Sequence, residues 1–386
     1  MAPGQLIVVG SGIASINQLT LQAVAHIEQA DLVCYMVADP STEAYIRTKN
    51  PNNFDLYVFY DENKMRIDTY VQMAEYMVQN VREGKVVVAV FYGHPGVFAS
   101  PTHRAIALAK AEGFKAIMLP GVSAEDCLCA DLGIDPATIG LLTYEATDLL
   151  IRNRVLVPSI PLVLWQVGVV GIIDFKFRGF DNSNFDQLLD YLEPVYGADH
   201  PITHYIAAVL PQDETIIEQF TIAELRKPGV RSKVHAISTF YLPPKTNLPK
   251  DERVVTALGI KNWRSTPLFP FVTGSIPYTP HDKDVVASMA SHVPPSGYKT
   301  LVASSTMVDI MTKLSLDHKL LEKYKANPKI FASTRGLTAD EQRALDTCSS
   351  QWTYYSMKDN KGIPFDDLGP FIIGMTAAVV TTNAGG

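Results

Sequence analysis

Residues 6–37 read LIVVGSGIASINQLTLQAVAHIEQADLVCYMV, and this stretch decides the fold. The apolar run Leu6–Val9 ends at Gly10. Ser11-Gly12 then leads into an amphipathic stretch, Ser15–Gln29, in which Ile16, Leu19, Val24 and Ile27 recur at roughly helical spacing. A second apolar run, Leu32–Val37, follows. Two strands joined through a helix are parallel, and their crossover is right-handed. Working outward, Val86–Phe91 and Ala116–Leu119 read as further strands, with helices over Thr69–Glu83 and His103–Glu112. Residues 1–120 therefore predict an alternating α/β domain.

Beyond Pro120 the pattern loosens. Leu162–Val170, His204–Pro211 and Val234–Pro244 read as long strands, and Asp186–Tyr196 and Thr221–Lys227 as helices. This predicts a second α/β domain with a more mixed sheet over 121–245, ending at Pro243-Pro244-Lys245. Thr246–Pro280 is irregular and proline-rich, Asp282–Ser356 reads as mostly helical, and Lys358–Asp367 reads as a polar linker. The final stretch, Gly369–Gly386, reads GPFIIGMTAAVVTTNAGG and is uncharged. Chain ends that dock nowhere are usually polar, and an exposed β-prone apolar end invites aggregation. Such a tail is packed into the body, a sticky accident, or a segment that something acts on.

With 386 residues the chain has room for two or more domains. It is 47% hydrophobic and 19% charged, with a net charge of -7, which argues against a nucleic-acid backbone or an anionic membrane as main partner. Cys127 and Cys129 have no second pair to complete a zinc site, and no metal is expected. The start, MAPGQLIVVG, lacks the basic region and long apolar run of a signal peptide, so a reducing cytoplasm is the simplest expectation. Val155–Ile173 is uncharged and long enough to raise the question of a membrane span. Pro158, Pro161, Gly168 and Gly171 within it favour a buried strand followed by a glycine-bearing loop.

Three turns carry the candidate chemistry. In Gly10-Ser11-Gly12-Ile13-Ala14-Ser15 the third glycine of a dinucleotide fingerprint is Ser15, and no acidic residue ends the second strand. Phe91-Tyr92-Gly93-His94-Pro95-Gly96-Val97-Phe98 follows the third strand, and Leu119-Pro120-Gly121-Val122-Ser123-Ala124 the fourth. Loops at the carboxyl ends of parallel strands are where open α/β sheets bind ligands. Gly121-Val122-Ser123-Ala124-Glu125 lacks the second glycine of a serine-hydrolase elbow. Tyr57, Tyr60, Arg66 and Tyr70 cluster in sequence. Such aromatics more often pack than catalyse, but phenols beside a guanidinium can also move or stabilise a proton. His200 and His204 are separated by Pro201 and have no glutamate in the zinc-protease position, so they read as structural.

Together the three loops resemble the tetrapyrrole-methylase (class III) fold of S-adenosylmethionine enzymes over residues 4–245. The stretches DLYVFYDENKMRIDTY, VFYGHPGVF, LPGVSAEDC, LTYEA and HYIAA further resemble the fungal borosin precursors, which are peptide α-N-methyltransferases fused to their own substrate. That resemblance implies a two-domain α/β methyltransferase over 1–245, a helical clasp over 246–357, a linker over 358–370, and a core peptide with a short follower over 371–386. It implies a catalytic group of Arg66, Tyr70 and Tyr92, lined by Tyr57 and Tyr60. It implies S-adenosylmethionine, leaving as S-adenosylhomocysteine, held by Tyr92, His94, Val97, Phe98, Ser123, Ala124, Gln166, Ala207, Ser238 and Thr239. The implied substrate is the chain's own Phe371, Ile372, Ile373, Gly374, Met375, Thr376, Ala377, Ala378, Val379 and Val380, entering a partner's cleft within a homodimer. A protease would act afterwards. This core departs from the tryptophan-, valine- and isoleucine-rich repeats of the best-known members.

An amide nitrogen is a poor nucleophile because its lone pair is delocalised into the carbonyl. The expected roles are a phenol of Tyr70 or Tyr92 as base, and Arg66 favouring the phenolate and holding the imidate oxygen. A tethered tail reaches roughly millimolar local concentration. Two alternatives stay open at this point. One is a small-molecule methyltransferase of the same superfamily, and the other a binding protein whose tail adds a strand to a partner.

Overall fold

A computed structural model describes residues 4–177, 179, 181–261, 279–294 and 298–360. The expected core peptide and follower, the linker from residue 361 onward, and residues 262–278 of the proline-rich stretch before Pro280 lie outside the described residues. Two compact units are present, one within Met1–Gly274 and one within Ser275–Val380.

The first unit holds two five-stranded sheets. The first contains β1 (Gln5–Gly10), β2 (Leu32–Met36), β3 (Asn53–Asp55), β4 (Val86–Phe91) and β5 (Lys115–Met118), in the order β3-β2-β4-β1-β5. Every pairing is parallel. Both faces are covered, which is why these strands are apolar almost without interruption. Leu6, Val8, Val87 and Ala89 face Met73, Met77, Val78 and Ala105, whereas Ile7, Val9, Val33, Val88 and Val90 face Ala23, Ile27 and Ile46. The chain leaves β1 toward β2 on one side and leaves β4 toward β5 on the other, so adjacent β1 and β4 mark the switch point where such sheets take ligands.

The second sheet contains β6 (Leu142–Glu145), β7 (Leu162–Trp165), β8 (Pro201–Ile206), β9 (Ile216–Thr221) and β10 (Thr239–Leu242), in the order β6-β7-β10-β8-β9. Only β6 and β7 run parallel; the other pairs are antiparallel, giving the mixed sheet that the sequence predicts. The helix Phe185–Tyr196 covers one face with Leu188, Leu189 and Leu192. Leu128 and Leu132 of the helix Ala124–Leu132 pack with Val163, Trp165 and Tyr205 on the other.

Several expected elements shift. The helix expected from Ser15 begins at Leu21, capped by Thr20, because Ile16 takes a left-handed φ of 61° and ends any earlier turn. The strand expected over Leu162–Val170 stops at Trp165, since Gln166 has φ 58°. β8 starts at Pro201 rather than His204; a proline at the first strand position forfeits no ladder bond. The segment expected as a strand from Val234 is a turn up to Ser238, whose N–H donates to the His235 carbonyl at 2.8 Å, and only Thr239–Leu242 pairs. The helix expected over Thr221–Lys227 is the shorter Ile222–Leu225, started by a Thr221/Glu224 capping box. The edge strands β3, β6 and β9 carry no clear apolar run in the sequence and escape a reading by pattern.

The second unit is helical: Pro280–Ser288, Ser305–Leu316, His318–Ala326, Ala339–Thr347 and Ser350–Met357. Thr279, Ser304, Asp317, Thr338 and Ser349 cap their N-termini. Met307, Ile310, Leu314, Tyr324, Ala344 and Leu345 form its core. Buried Glu341 is satisfied by N–H groups of Ser304 at 2.7 Å and Thr338 at 2.8 Å. Among the described residues no helix is long and apolar enough to cross a membrane.

Candidate active site

The three glycine loops meet where the parallel sheet ends. Gly12 and Gly93 bridge, with Gly12 N–H donating to the Gly93 carbonyl at 3.2 Å and Gly93 N–H to the Gly12 carbonyl at 2.8 Å. A Cβ on Gly10 would stand 2.2 Å from the Gly93 carbonyl oxygen, and one on Gly121 would stand 3.1 Å from the Gly10 Cα. Only glycine allows this convergence, and the resulting floor is backbone. Gln18 pins the first loop, its Oε1 accepting Ile13 N–H at 2.7 Å and Ala14 N–H at 3.0 Å. The second loop is held by His94, whose Nδ1 accepts Gly96 N–H at 2.9 Å. In the third, Ser123 is committed to its helix: its hydroxyl donates to Asp126 at 2.7 Å and accepts Asp126 N–H at 3.1 Å. The part of Ser123 is thus to shape the loop ahead of Ala124.

Opposite this floor stands one end of the mixed sheet. Gln166 directly follows β7, Ala207 directly follows β8, and Ser238 and Thr239 lead into β10, which lies between those two strands. Residues far apart in sequence thereby share one edge. Phe98, with φ 53°, brings its ring to 5.8 Å from Trp165, and Val97 beside it is exposed. Phe98 and Gln166 are two of the few non-glycine residues at positive φ, and such strain collects at ligand sites. A backbone floor, exposed apolar Val97 and Phe98, and the polar residues of the facing edge suit a nucleoside bearing an amino-acid end.

The tyrosine-rich segment closes the side of this cleft. Arg66 opens the helix Arg66–Arg82, and Tyr70 lies one turn on, on the same face. Arg66 N–H donates to the Ile173 carbonyl at 3.1 Å, its guanidinium donates to the Ile172 carbonyl, and Met65 bridges Asp174. A cleft of about 390 Å³ is lined by Met65, Arg66, Ile67, Tyr70, Gln166 and Ile173. Tyr60, Tyr70, Tyr92 and Arg66 act on one another electrostatically, so these four side chains are brought together. Burial raises the Tyr60 phenol well above its ordinary value, reinforced by Tyr70 and Tyr92, and only Arg66 pulls it down. Burial likewise raises the Tyr92 phenol, with Tyr70 adding and Arg66 opposing. Tyr92 is nonetheless 43% exposed. The cation therefore acts in the expected sense but is outweighed by desolvation.

Tyr57 stands apart from this group. Its phenol is raised by burial and then by Asp55, with no influence from Arg66. Its ring packs 5.1 Å from Tyr60, 5.8 Å from Phe175 and 6.2 Å from Phe177, and Tyr60 lies 4.2 Å from Phe175. Phe175 and Phe177 were not singled out by sequence. They arrive on the loop after β7, latched by Phe177 N–H donating to Glu62 at 2.7 Å. The available signal was an apolar and aromatic run, Gly171-Ile172-Ile173-Asp174-Phe175-Lys176-Phe177, in a loop where solvent should favour polar residues. His200, read as structural, faces the Pro243 carbonyl at 2.9 Å.

Residues 5–165 match the family model described as Tetrapyrrole (Corrin/Porphyrin) Methylases, and residues 277–365 the one described as Borosin biosynthesis clasp domain. The chain is similar to a methyltransferase/ribosomally synthesized type III borosin cyclic peptide precursor of Anomoporia bombycina, at 54% identity over 363 residues, which is 90% of this chain and 42% of that one. It is similar to a type I borosin cyclic peptide precursor of Coprinopsis marcescibilis, at 51% identity and 94% coverage of both chains. The omphalotin A precursor of Omphalotus olearius is 50% identical, with 92% of this chain and 88% of that one covered. The chain thus spans less than half of the first relative and nearly all of the other two.

Proposed function

The chain belongs to the borosin precursor methyltransferases, and on that premise we propose that it methylates backbone amide nitrogens of its own core peptide, the segment Phe371–Val380. S-adenosylmethionine supplies the methyl group, already activated on a sulfonium. The chain's residues have to expose and activate the amide. Burial favours the protonated form of the Tyr60 phenol, so Tyr60 serves as a hydrogen-bond donor. The base is Tyr70 or Tyr92, which takes the amide proton directly or through water. Tyr60 holds its own proton in a hydrogen bond with Tyr70. Arg66, fixed by the Ile172 and Ile173 carbonyls, stabilises the negative charge that develops on the amide oxygen.

The observation that carries this reading is the meeting of Arg66, Tyr60, Tyr70 and Tyr92 beside the glycine-loop floor. Exposed apolar Ile67 and Ile173 in the cleft lining favour an apolar peptide over a carboxylate-rich tetrapyrrole. The second unit acts as the clasp. Its Val285, Val286, Met289 and Val293 are uncovered, with Met289 71% exposed, which supports a homodimer in which each tail enters the partner's cleft. A downstream protease frees the peptide. Cys34, Cys127, Cys129 and Cys348 are free thiols, in keeping with a cytoplasmic enzyme.

Intact-mass spectrometry with fragmentation tests the proposal. Wild-type protein with S-adenosylmethionine should show a ladder of added methylenes confined to the tail. Arg66→Ala should retain S-adenosylhomocysteine binding and lose methylation by about 10²–10³-fold. An unmodified wild-type tail, or normal methylation in Arg66→Ala, would refute it.

A further inference from the structure

The expected linker starts at Lys358, yet the chain does not leave the second unit there. Leu301 and Lys358 form an antiparallel bridge. It is flanked by Val302 N–H donating to the Met357 carbonyl at 3.0 Å and Asp359 N–H donating to the Thr300 carbonyl at 2.9 Å. The Asn360 side-chain amide donates to the Tyr355 carbonyl at 2.7 Å and to the Lys358 carbonyl at 3.0 Å, and the Lys358 ammonium donates to the Lys299 carbonyl at 3.5 Å. Lys358, Asp359 and Asn360 are half-buried. Both sides of this anchor are mounted on the core of the second unit. On one side, residues 300–302 run into Ser304, whose N–H is held by buried Glu341 at 2.7 Å and whose hydroxyl caps the helix Ser305–Leu316. On the other, the helix Ser350–Met357 packs Trp352 and Met357 against the core, and the Arg343 guanidinium lies 4.1 Å from the Trp352 ring.

The last residues of a domain fray unless they are tied down. Here they are tied at the point from which the chain continues to its substrate. Phe371 follows Asn360 by eleven positions. A chain spans at most about 3.3–3.6 Å per residue, so Phe371 stands no more than about 40 Å from Asn360. A tether too short for its span gives an effective concentration near zero, and one that matches the span gives the highest. An amide nearer to Asn360 along the chain than the span to the cleft therefore escapes methylation, whatever its side chain. The tail itself gives no side-chain signal for where to begin. Residues 371–380 include an aromatic ring, glycine, a thioether, a hydroxyl and β-branched side chains, and the reaction takes place at the N–H they all share.

We propose that the paired residues 300–302 and 358–360 are a fixed origin from which the tail is measured, and that the first amide to be methylated is chosen by its number of residues from Asn360. This rests on the tail being the substrate. The anchor is a specificity determinant that acts through chain length and touches no reacting atom.

The start of the methylated stretch, located by fragmentation mass spectrometry of the full chain, is the readout. Deleting residues 361–363 should move the first methylated amide three positions toward the C-terminus, while S-adenosylhomocysteine binding by calorimetry and the melting curve stay level. Releasing the anchor should undo this shift. Asp359→Pro removes the N–H that the Thr300 carbonyl accepts, and Asn360→Ala removes the two bonds of its side-chain amide. The tether then begins at Met357 and regains three residues. In the deleted chain this pair of substitutions should return the start to its original residue. A start that the deletion leaves unmoved overturns the proposal; it would mean that the tail marks its own beginning, for example at Pro370, which has no N–H to methylate. A shifted start, or a loss of methylation, that the pair of substitutions does not reverse overturns it too. A wild-type tail bearing no methyl group removes the substrate reading itself, and the measuring anchor with it.

Discussion

The two edges that face each other across the cleft work by different means. The parallel sheet offers backbone: Gly10, Gly93 and Gly121 converge with no room for a side chain. The mixed sheet offers a side chain: Gln166, in a left-handed conformation, lines the cleft. A backbone floor is made by the loops that leave three neighbouring strands, so it follows from topology. A side-chain edge depends on register, since shifting a strand by one residue turns every side chain to the other face. The first edge should therefore fail abruptly when altered, and the second by degrees.

Substitutions can break that contrast. The largest effect is expected at Gly10→Ala, where the added methyl meets the Gly93 carbonyl and the Gly121 backbone. A loss of about 1–3 kcal/mol in stability is expected, together with loss of S-adenosylhomocysteine binding. Urea melts and calorimetry read both, and a variant that still binds normally would show that the floor yields. Next comes Phe175→Ala on the loop from the mixed sheet. It removes the ring that packs on Tyr60 and Tyr57, at a cost of about 1–2 kcal/mol. Cofactor affinity should hold while tail methylation slows, because Phe175 orders the tyrosine segment and not the floor. Equal loss of both activities would erase the distinction between the edges. Smallest is Gln166→Gly, which relieves a left-handed non-glycine residue worth about 1–2 kcal/mol of strain, partly offset by the entropy of glycine. Its melting temperature should stay level or rise while S-adenosylhomocysteine binds more weakly. A fall in stability with unchanged binding would mean that Gln166 serves packing.

The same contrast explains which parts were legible beforehand. The glycine loops announce themselves because a strand, a glycine turn and a helix are contiguous in sequence, as in Leu6–Gln29 and Val86–Ala111. The mixed sheet was read with its strands displaced: β8 by three residues, β10 by five, and β9 missed altogether. Its apolar runs continue past the last paired residue into loops that are themselves buried, so hydrophobicity no longer marks the strand end. Tyr57 shows the limit on the catalytic side. It lies in the same short run as Tyr60, yet its phenol responds to Asp55 and burial rather than to Arg66. His204 shows the reverse, since a histidine set aside as structural holds one of the expected cofactor residues by a hydrogen bond.

Local pattern by itself determined the alternating first domain, its three glycine loops, the mixed character of the second sheet and the helical third region. Each of these is written in contiguous residues with a period or a turn signal. Tertiary structure alone decided that Arg66 is held by the carbonyls of Ile172 and Ile173, that Phe175 and Phe177 close on Tyr57 and Tyr60, and that Glu218, His204 and Ser238 form a line. Those contacts join residues that no period relates. They exist because strand register and two crossing loops bring their hydrogen-bonding groups within reach, and buried polar groups must find partners.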